Sequence, residues 1–310
     1  MKRWWAQPLV RVLVALALPA AVPALITALI WLLPGDPASI ICPPEICGGT
    51  DGLAARWNLD RGPVHFYRSW VSGALAGDMG NSWRVLQGVP VRQLLDAAVP
   101  NTVLLILLAT TPLLLASVAA GVGWLPRRLD PAFQAMGLVP AVVLALVAAA
   151  AVLLRYGADA HGDQAAFIRL LLGALVLGVA DGALSGAVVG VRGVFDRERT
   201  QPYVLVGLLR GEGELGNMLP NVAGSLAGQL RARLLHLLSG AVVVEAVLRI
   251  DGLGDLLWRA TILQDFGLVL AAATGFAVVS SVLLLLQALV EVVVAWHVRR
   301  APLLPAEVAS

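Results

Sequence analysis

Apolar residues in this chain gather into long runs instead of recurring at the period of a soluble helix or strand. A helix that crosses a bilayer needs ~20 mostly apolar residues. Roughly six stretches meet that requirement: 8–33, 99–125, 133–154, 166–191, 223–248 and 266–296. The first has the basic start of a signal peptide, with Lys2, Arg3 and Arg11. It is too long for one, however, and "LPGDPAS" (33–39) is not a small-x-small cleavage site, so it reads as a retained helix. Two larger polar segments interrupt the pattern. Residues 35–98 are rich in turn formers ("PGDP", "CPPE", "CGGTDG"), with amphipathic stretches around 53–58, 64–76 and 90–98; the other segment is 192–222.

Composition agrees with the pattern. The chain is 59% hydrophobic and 14% charged, against about 25% charged in soluble domains. Basic residues then set the orientation, because cytoplasmic loops retain them. Lys2, Arg3, Arg127, Arg128, Arg192, Arg197, Arg199, Arg210, Arg299 and Arg300 fall on one side, and the short loop 156–165 on the other side has no Lys or Arg. The segment 35–98 holds five arginines, but long loops count little in this rule. The expected protein is all-α and membrane-embedded, with about six transmembrane helices and both termini cytoplasmic. It divides into an N-terminal segment with the first helix (1–34), a small extracytoplasmic domain (35–98) and a five-helix core (99–310). The core includes the cytoplasmic segment 192–222 and the outer loop 249–264.

Several function classes drop out. Lys2 is the only lysine, and a phosphate-binding P-loop requires one within G-x-x-x-x-G-K-[ST]. The arginines are scattered at helix ends, which gives no basic patch for nucleic acid. No H-E-x-x-H, G-x-S-x-G or convergent Asp pair appears, and His65, His161, His236 and His297 are dispersed. Cys42 and Cys47, in "ICPPEICGG", are a candidate disulfide if their segment is extracytoplasmic. They also read as two free thiols or an incidental metal contact. No metal site is expected, since a lone C-x4-C is weak for zinc.

"RGEGELGNMLPN" (210–221) contains Gly211-x-Gly213-x-x-Gly216, the spacing of a dinucleotide loop. That loop works because a strand turns tightly into a helix whose amino end meets a pyrophosphate. The preceding "YVLVGLL" (203–209) could serve as a short strand, but membrane spans flank it and no βαβ unit surrounds it. Glu212 and Glu214 would also repel phosphate. The bland alternative is a connector; a cytoplasmic elbow carrying Arg210, Glu212 and Glu214 also suits a docking surface.

Four further stretches, in order, resemble the permease subunits of binding-protein-dependent ABC importers of the oligopeptide/dipeptide/nickel subfamily. They are "LPGDPA" (33–38), "NLDRGPVHFYRSWVSGALAGDMGNS" (58–82), "GVPVRQLLDAAVPNTVLL" (88–105) and "GAVVVEAVLRIDGLGDLLWRATILQDF" (240–266). The resemblance implies a transport subunit, with no catalysis or cofactor of its own, in the bacterial cytoplasmic (inner) membrane. It implies a second homologous permease, two ATPase subunits that bind ATP and Mg, an extracytoplasmic substrate-binding protein, and lipid. It further implies that the 192–222 segment docks an ATPase. There Gly207 matches the family signature's alanine, Arg210 its lysine and Gly211 its glycine; Tyr203, Glu212, Glu214, Asn217 and Pro220 complete the candidate coupling set. The segment is about four residues shorter than the family pattern, roughly one helical turn. Gly213 and Gly216 would weaken a helix there by ~1 kcal/mol each relative to alanine. Asp251 stands where the family has proline.

Charged groups at a helix centre are costly unless paired or wet. Asp181, His236 and Glu245 are therefore candidates for the translocation path. Asp181 reads equally well as a hydrogen-bonded structural residue, His236 as an interhelical hydrogen bonder and Glu245 as a structural contact near the outer mouth. Arg231 and Arg233 are expected to snorkel, and Glu291 to pair with an arginine. In 249–264, Leu253, Leu256, Leu257 and Ala260 would share an apolar helical face. Arg249, Asp251, Asp255 and Arg259 would form a charged face for the binding protein, unless the helix simply lies flat with Trp258 as anchor. Two other functions stay open: a regulatory or structural membrane subunit with degenerate coupling, and an intramembrane enzyme.

Overall fold

The computed structural model describes residues 6–32, 36–41, 51–157 and 162–300. Cys42 and Cys47 lie outside the described residues. Within them the chain is helical: α1 (Ala6–Leu32), α2 (Pro37–Ile41), α3 (Asp51–Arg56), α4 (Pro63–Leu75), α5 (Val91–Gly121), α6 (Asp130–Gly137), α7 (Ala141–Tyr156), α8 (Asp163–Val179), α9 (Ala183–Arg199), α10 (Pro202–Leu209), α11 (Glu214–Leu248), α12 (Leu253–Ile262) and α13 (Phe266–Arg300).

Four stretches are long and apolar enough to span a bilayer: Pro8–Leu32, Val91–Gly121, Asp163–Arg199 and Phe266–Trp296. A fifth is broken, because α6 and α7 meet at 78° across Leu138–Pro140. Proline has no N–H and restricts the residue before it, which explains a break at that point. The expected span at 133–154 is therefore a bent pair. The expected span at 166–191 is likewise interrupted: Asp181 (φ 50°) and Gly182 (φ 75°) form a left-handed turn between α8 and α9. α11 is 35 residues long, about 52 Å. Its apolar half carries Arg231, Arg233 and Glu245 and is not among these stretches, although the apolar run 223–248 is expected from the sequence as a span. α5 begins at Val91, inside the stretch assigned from sequence to the outer segment.

α11 is the central element and packs on α5, α7, α8, α9, α12 and α13, whereas α1 packs chiefly on α13. The main core is rich in alanine, with Ala109, Ala145, Ala174, Ala183, Ala187 and Ala241 among Leu105, Leu177 and Leu237. Small residues let helix backbones approach closely where lipid removes any hydrophobic drive to associate. Elsewhere the large apolar residues point outward, including Leu16, Leu107, Leu115 and Leu154. Only 22% of the most apolar window of α1 and of α13, and 28% of that of α5, is buried. Most of that apolar surface therefore awaits lipid or another subunit.

Candidate functional site

The candidate residues fall at the two ends of α11. At its amino end, 203–209 is helical, part of α10, and not a strand. Pro202 starts α10 in its first turn, where a missing N–H costs nothing. Gly211 (φ 79°) makes the turn out of it, and Gly213 caps α11. The glycines of the motif are thus a turn residue, a cap and a first-turn position of α11, joining two helices. Val204 and Gly207 face inward onto Met218 and Val222 of α11. A β-carbon at Gly207 would lie 2.0 Å from Asn217 Nδ2, so a larger residue there would have to displace the Asn217 amide. Leu205, Val206, Leu208 and Leu209 face outward, Leu209 with 88% of its surface exposed. Arg210, Glu212 and Pro220 are exposed beside them.

Ion pairs hold this elbow to the bundle. Arg199 Nε lies 2.8 Å from Glu214 Oε1, and Asp196 Oδ1 accepts from Arg127 Nη2 at 2.6 Å and Arg199 Nη1 at 3.3 Å. Arg192, which is buried, pairs with Asp130 and donates to the Leu125 carbonyl. The Tyr203 hydroxyl donates to Glu198. Burial, and then that hydrogen bond, push the phenol's pKa up.

At the other end of α11, Glu245 is fully buried and its Oε2 accepts the N–H groups of Gly254 (2.7 Å) and Asp255 (3.2 Å). The neighbouring Leu253 N–H donates to Thr102 Oγ1 at 2.7 Å. Three free donors of the first turn of α12 are thereby satisfied from two other helices, with a carboxylate at the positive end of the helix dipole. A β-carbon on Gly252 would lie 2.3 Å from Glu245 Oε2, and one on Gly254 2.5 Å from the Val242 Cα. The "GLG" of residues 252–254 is therefore what lets α12 sit on α11. Asn101 Nδ2 adds a bond to the Asp251 carbonyl, and Arg169 Nη1 one to the Arg249 carbonyl. On α12 itself, Leu253, Leu256 and Ala260 are buried as expected. Asp255 is buried with them, while Arg249, Asp251 and Arg259 are exposed. Asp255 accepts from Arg259 at 2.5 Å. Burial raises its pKa, and the Arg259 charge opposes the rise.

A second anchor lies nearby. Asp265 is fully buried, and its Oδ2 accepts from Ser82 Oγ (2.5 Å) and from the N–H groups of Trp83 (2.9 Å), Arg84 (3.0 Å) and Val85 (3.1 Å). Its Oδ1 accepts the Leu268 N–H at 3.2 Å. One carboxylate thus ties the 35–98 segment to the start of α13. Sequence reading quotes Ser82 and Asp265 within motifs but gives neither a role, because the partners are more than 180 residues apart. Thr102 and Asn101 were missed for the same reason.

The remaining candidates lie between the two ends. Asp181 sits at the α8–α9 turn, where its Oδ1 accepts the Ala141 N–H at 3.1 Å and so caps α7. His236 is half-buried on α11. The Arg233 guanidinium rests on Gly186 of α9 and lines an apolar cavity of about 440 Å³ between α5, α9 and α11. Glu291 pairs with Arg11, joining α13 to α1. Among the described residues no three His, Cys, Asp or Glu side chains gather as metal ligands.

A bundle of apolar helices, with a short exposed helix at one end of α11 and a capped helix at the other, defines a multi-pass membrane protein. Residues 92–301 match the family described as the binding-protein-dependent transport system inner membrane component, and the chain belongs to that family. It is also similar, at 26% identity over 306 residues, to a Sinorhizobium fredii protein described as "Probable peptide ABC transporter permease protein y4tP". That similarity covers 91% of this chain and 94% of that protein. A shorter stretch is 33% identical over 90 residues to the "Oligopeptide transport system permease protein AppB" of Bacillus subtilis, covering 29% of this chain and 28% of that protein.

Proposed function

We propose that this chain is one permease subunit of an ATP-driven importer of peptides or related small solutes in the bacterial cytoplasmic membrane. It would form the translocation path with a second, homologous permease. In this reading there are six spans, with α6–α7 together as the third and α11 as the fifth, and both termini and α10 would lie in the cytoplasm. The 35–98 segment and α12 then face an extracytoplasmic binding protein. ATP and Mg bind to two separate ATPase subunits, whose closure rocks the paired permeases between inward and outward access. Family membership and the full-length likeness to a peptide permease support this reading.

One observation carries the coupling: α10 turns its inner face onto α11 and leaves Leu205, Val206, Leu208 and Leu209 uncovered. An exposed apolar cluster flanked by polar residues marks an interaction site. α11 runs from that elbow to the Glu245 cap as one helix, with Pro220 in its second turn, so a push on α10 would reach α12 along a single element.

The test is to co-express the chain with its neighbouring genes, reconstitute the assembly in lipid discs and measure ATP hydrolysis with and without the binding protein. A Leu208→Asp/Leu209→Asp variant should fold normally, with a stability change within about 0.5 kcal/mol because both sites are exposed, and should lose stimulated hydrolysis. ATPases that never co-purify would favour a regulatory subunit. ATPases that co-purify with an unaffected variant would place coupling on the partner permease.

A further inference from the structure

Beside the Asp265 anchor, the segment between Trp57 and Trp83 and the start of α13 enclose a cavity of about 320 Å³. Its apolar wall is aromatic. The Trp83 ring lies 4.8 Å from that of Trp57 and 6.5 Å from that of Phe66, centroid to centroid, and Trp70 closes another side. Its polar wall includes Asp78 and Asn81, and no Arg, Lys or His lines it. Asp78 Oδ1 accepts the Gly80 N–H at 2.9 Å, and no cation among the described residues lies within ion-pair distance of the carboxylate. Arg92 Nη1 lies 3.4 Å from where a β-carbon on Gly77 would sit, and Arg92 Nε pairs with Asp96 Oδ2 at 3.7 Å.

These features select a ligand chemistry. A carboxylate beside Trp faces attracts a cation, through charge and through the ring quadrupoles. A wall without cations gives an anion nothing to bind. The volume is near the lower end for ligand pockets, so it suits one residue better than an extended chain.

We infer that this cavity receives the amino-terminal residue of a peptide. Its α-ammonium meets Asp78, and its side chain lies against the aromatic wall of Trp57, Phe66, Trp70 and Trp83. The inference rests on the peptide-importer reading above, and assigns to the permease itself a recognition step at the mouth of the path.

The experiment uses the assembled transporter in lipid discs without binding protein, titrated by calorimetry with trialanine amide and with its N-acetylated form. The free amine should bind, and the acetylated peptide should bind at least about tenfold more weakly. Asp78→Asn should weaken the free amine by a similar factor, with an unchanged melting temperature. Equal binding of the two peptides, unaffected binding in Asp78→Asn, or no binding to the parent protein overturns the inference. A loss of affinity for unliganded binding protein in Asp78→Asn, with peptide binding intact, also overturns it, because the ammonium would then come from the docked protein. ATP-driven peptide uptake, measured separately, keeps the two readings apart. Uptake without amine-dependent binding removes the cavity's role and leaves the importer. Amine-dependent binding without uptake does the reverse.

Discussion

Two buried carboxylates do most of the ordering, each by collecting backbone N–H groups that would otherwise go unpaired. Asp265 accepts from Ser82 Oγ and from four backbone N–H groups. Hydrogen bonds to a charged group contribute about 1.5–3 kcal/mol each, and they are not additive. Asp265→Ala should therefore lower stability by about 3 kcal/mol or more, read from thermal unfolding in detergent. Gly252→Ala tests the other carboxylate, since its β-carbon would overlap Glu245. Overpacking of this kind costs about 1–3 kcal/mol, and an unchanged melting temperature would show that α12 is not held this way. Asp255 supplies a pH signature. Its folded pKa lies above the ordinary 3.8, so the folded state holds its proton longer than the unfolded state does. Its contribution is complete below about pH 3.8 and is lost as pH rises through the folded value. Asp255→Asn should remove that part of the acid-side slope in stability, measured by melting over a pH series.

At the scale of elements, α10 and α11 meet in an elbow. The elbow angle depends on the approach at Gly207, where a methyl group would meet the Asn217 amide. Gly207→Ala should leave the bundle folded while moving α10 off α11. The expected readout is weaker ATPase co-purification with little change in melting temperature. Arg199 and Glu214 clamp the same joint across the turn. The dinucleotide-like spacing of the glycines is fully accounted for by this turn, the α11 cap and one first-turn position.

For the whole molecule, the informative surface is the one left bare. More than seven-tenths of the apolar windows of α1, α5 and α13 is unburied, more than a soluble fold could tolerate. Lipid covers part of it, and the proposed second permease covers the rest. A partner that binds only the folded state raises stability by mass action. Co-expression with the second permease should therefore raise the melting temperature of this chain above that of the chain purified alone, at equal lipid content. No rise would argue against a tight permease pair.

How much of this was legible in the sequence depended on the range of the interaction. Apolar runs marked α1, α5 and α13 directly, because each span buries its own backbone polar groups and needs only a local stretch of apolar residues. The arginine distribution pointed to an orientation, and the motif around Glu245 to transport through its resemblance, both from local stretches of chain. The break at Asp181 and the bend before Pro140 were less visible, since apolar composition continues through both. The Glu245 cap, the Asp265 anchor and the aromatic cavity were not readable at all. Each joins residues from segments far apart in the chain, and a carboxylate's partners are chosen by which helices pack against it. Sequence by itself determined that this protein lives in a membrane and roughly where it crosses. Only the tertiary structure decided which polar groups meet, because burying a charge is tolerable only where folding has already brought its donors within reach.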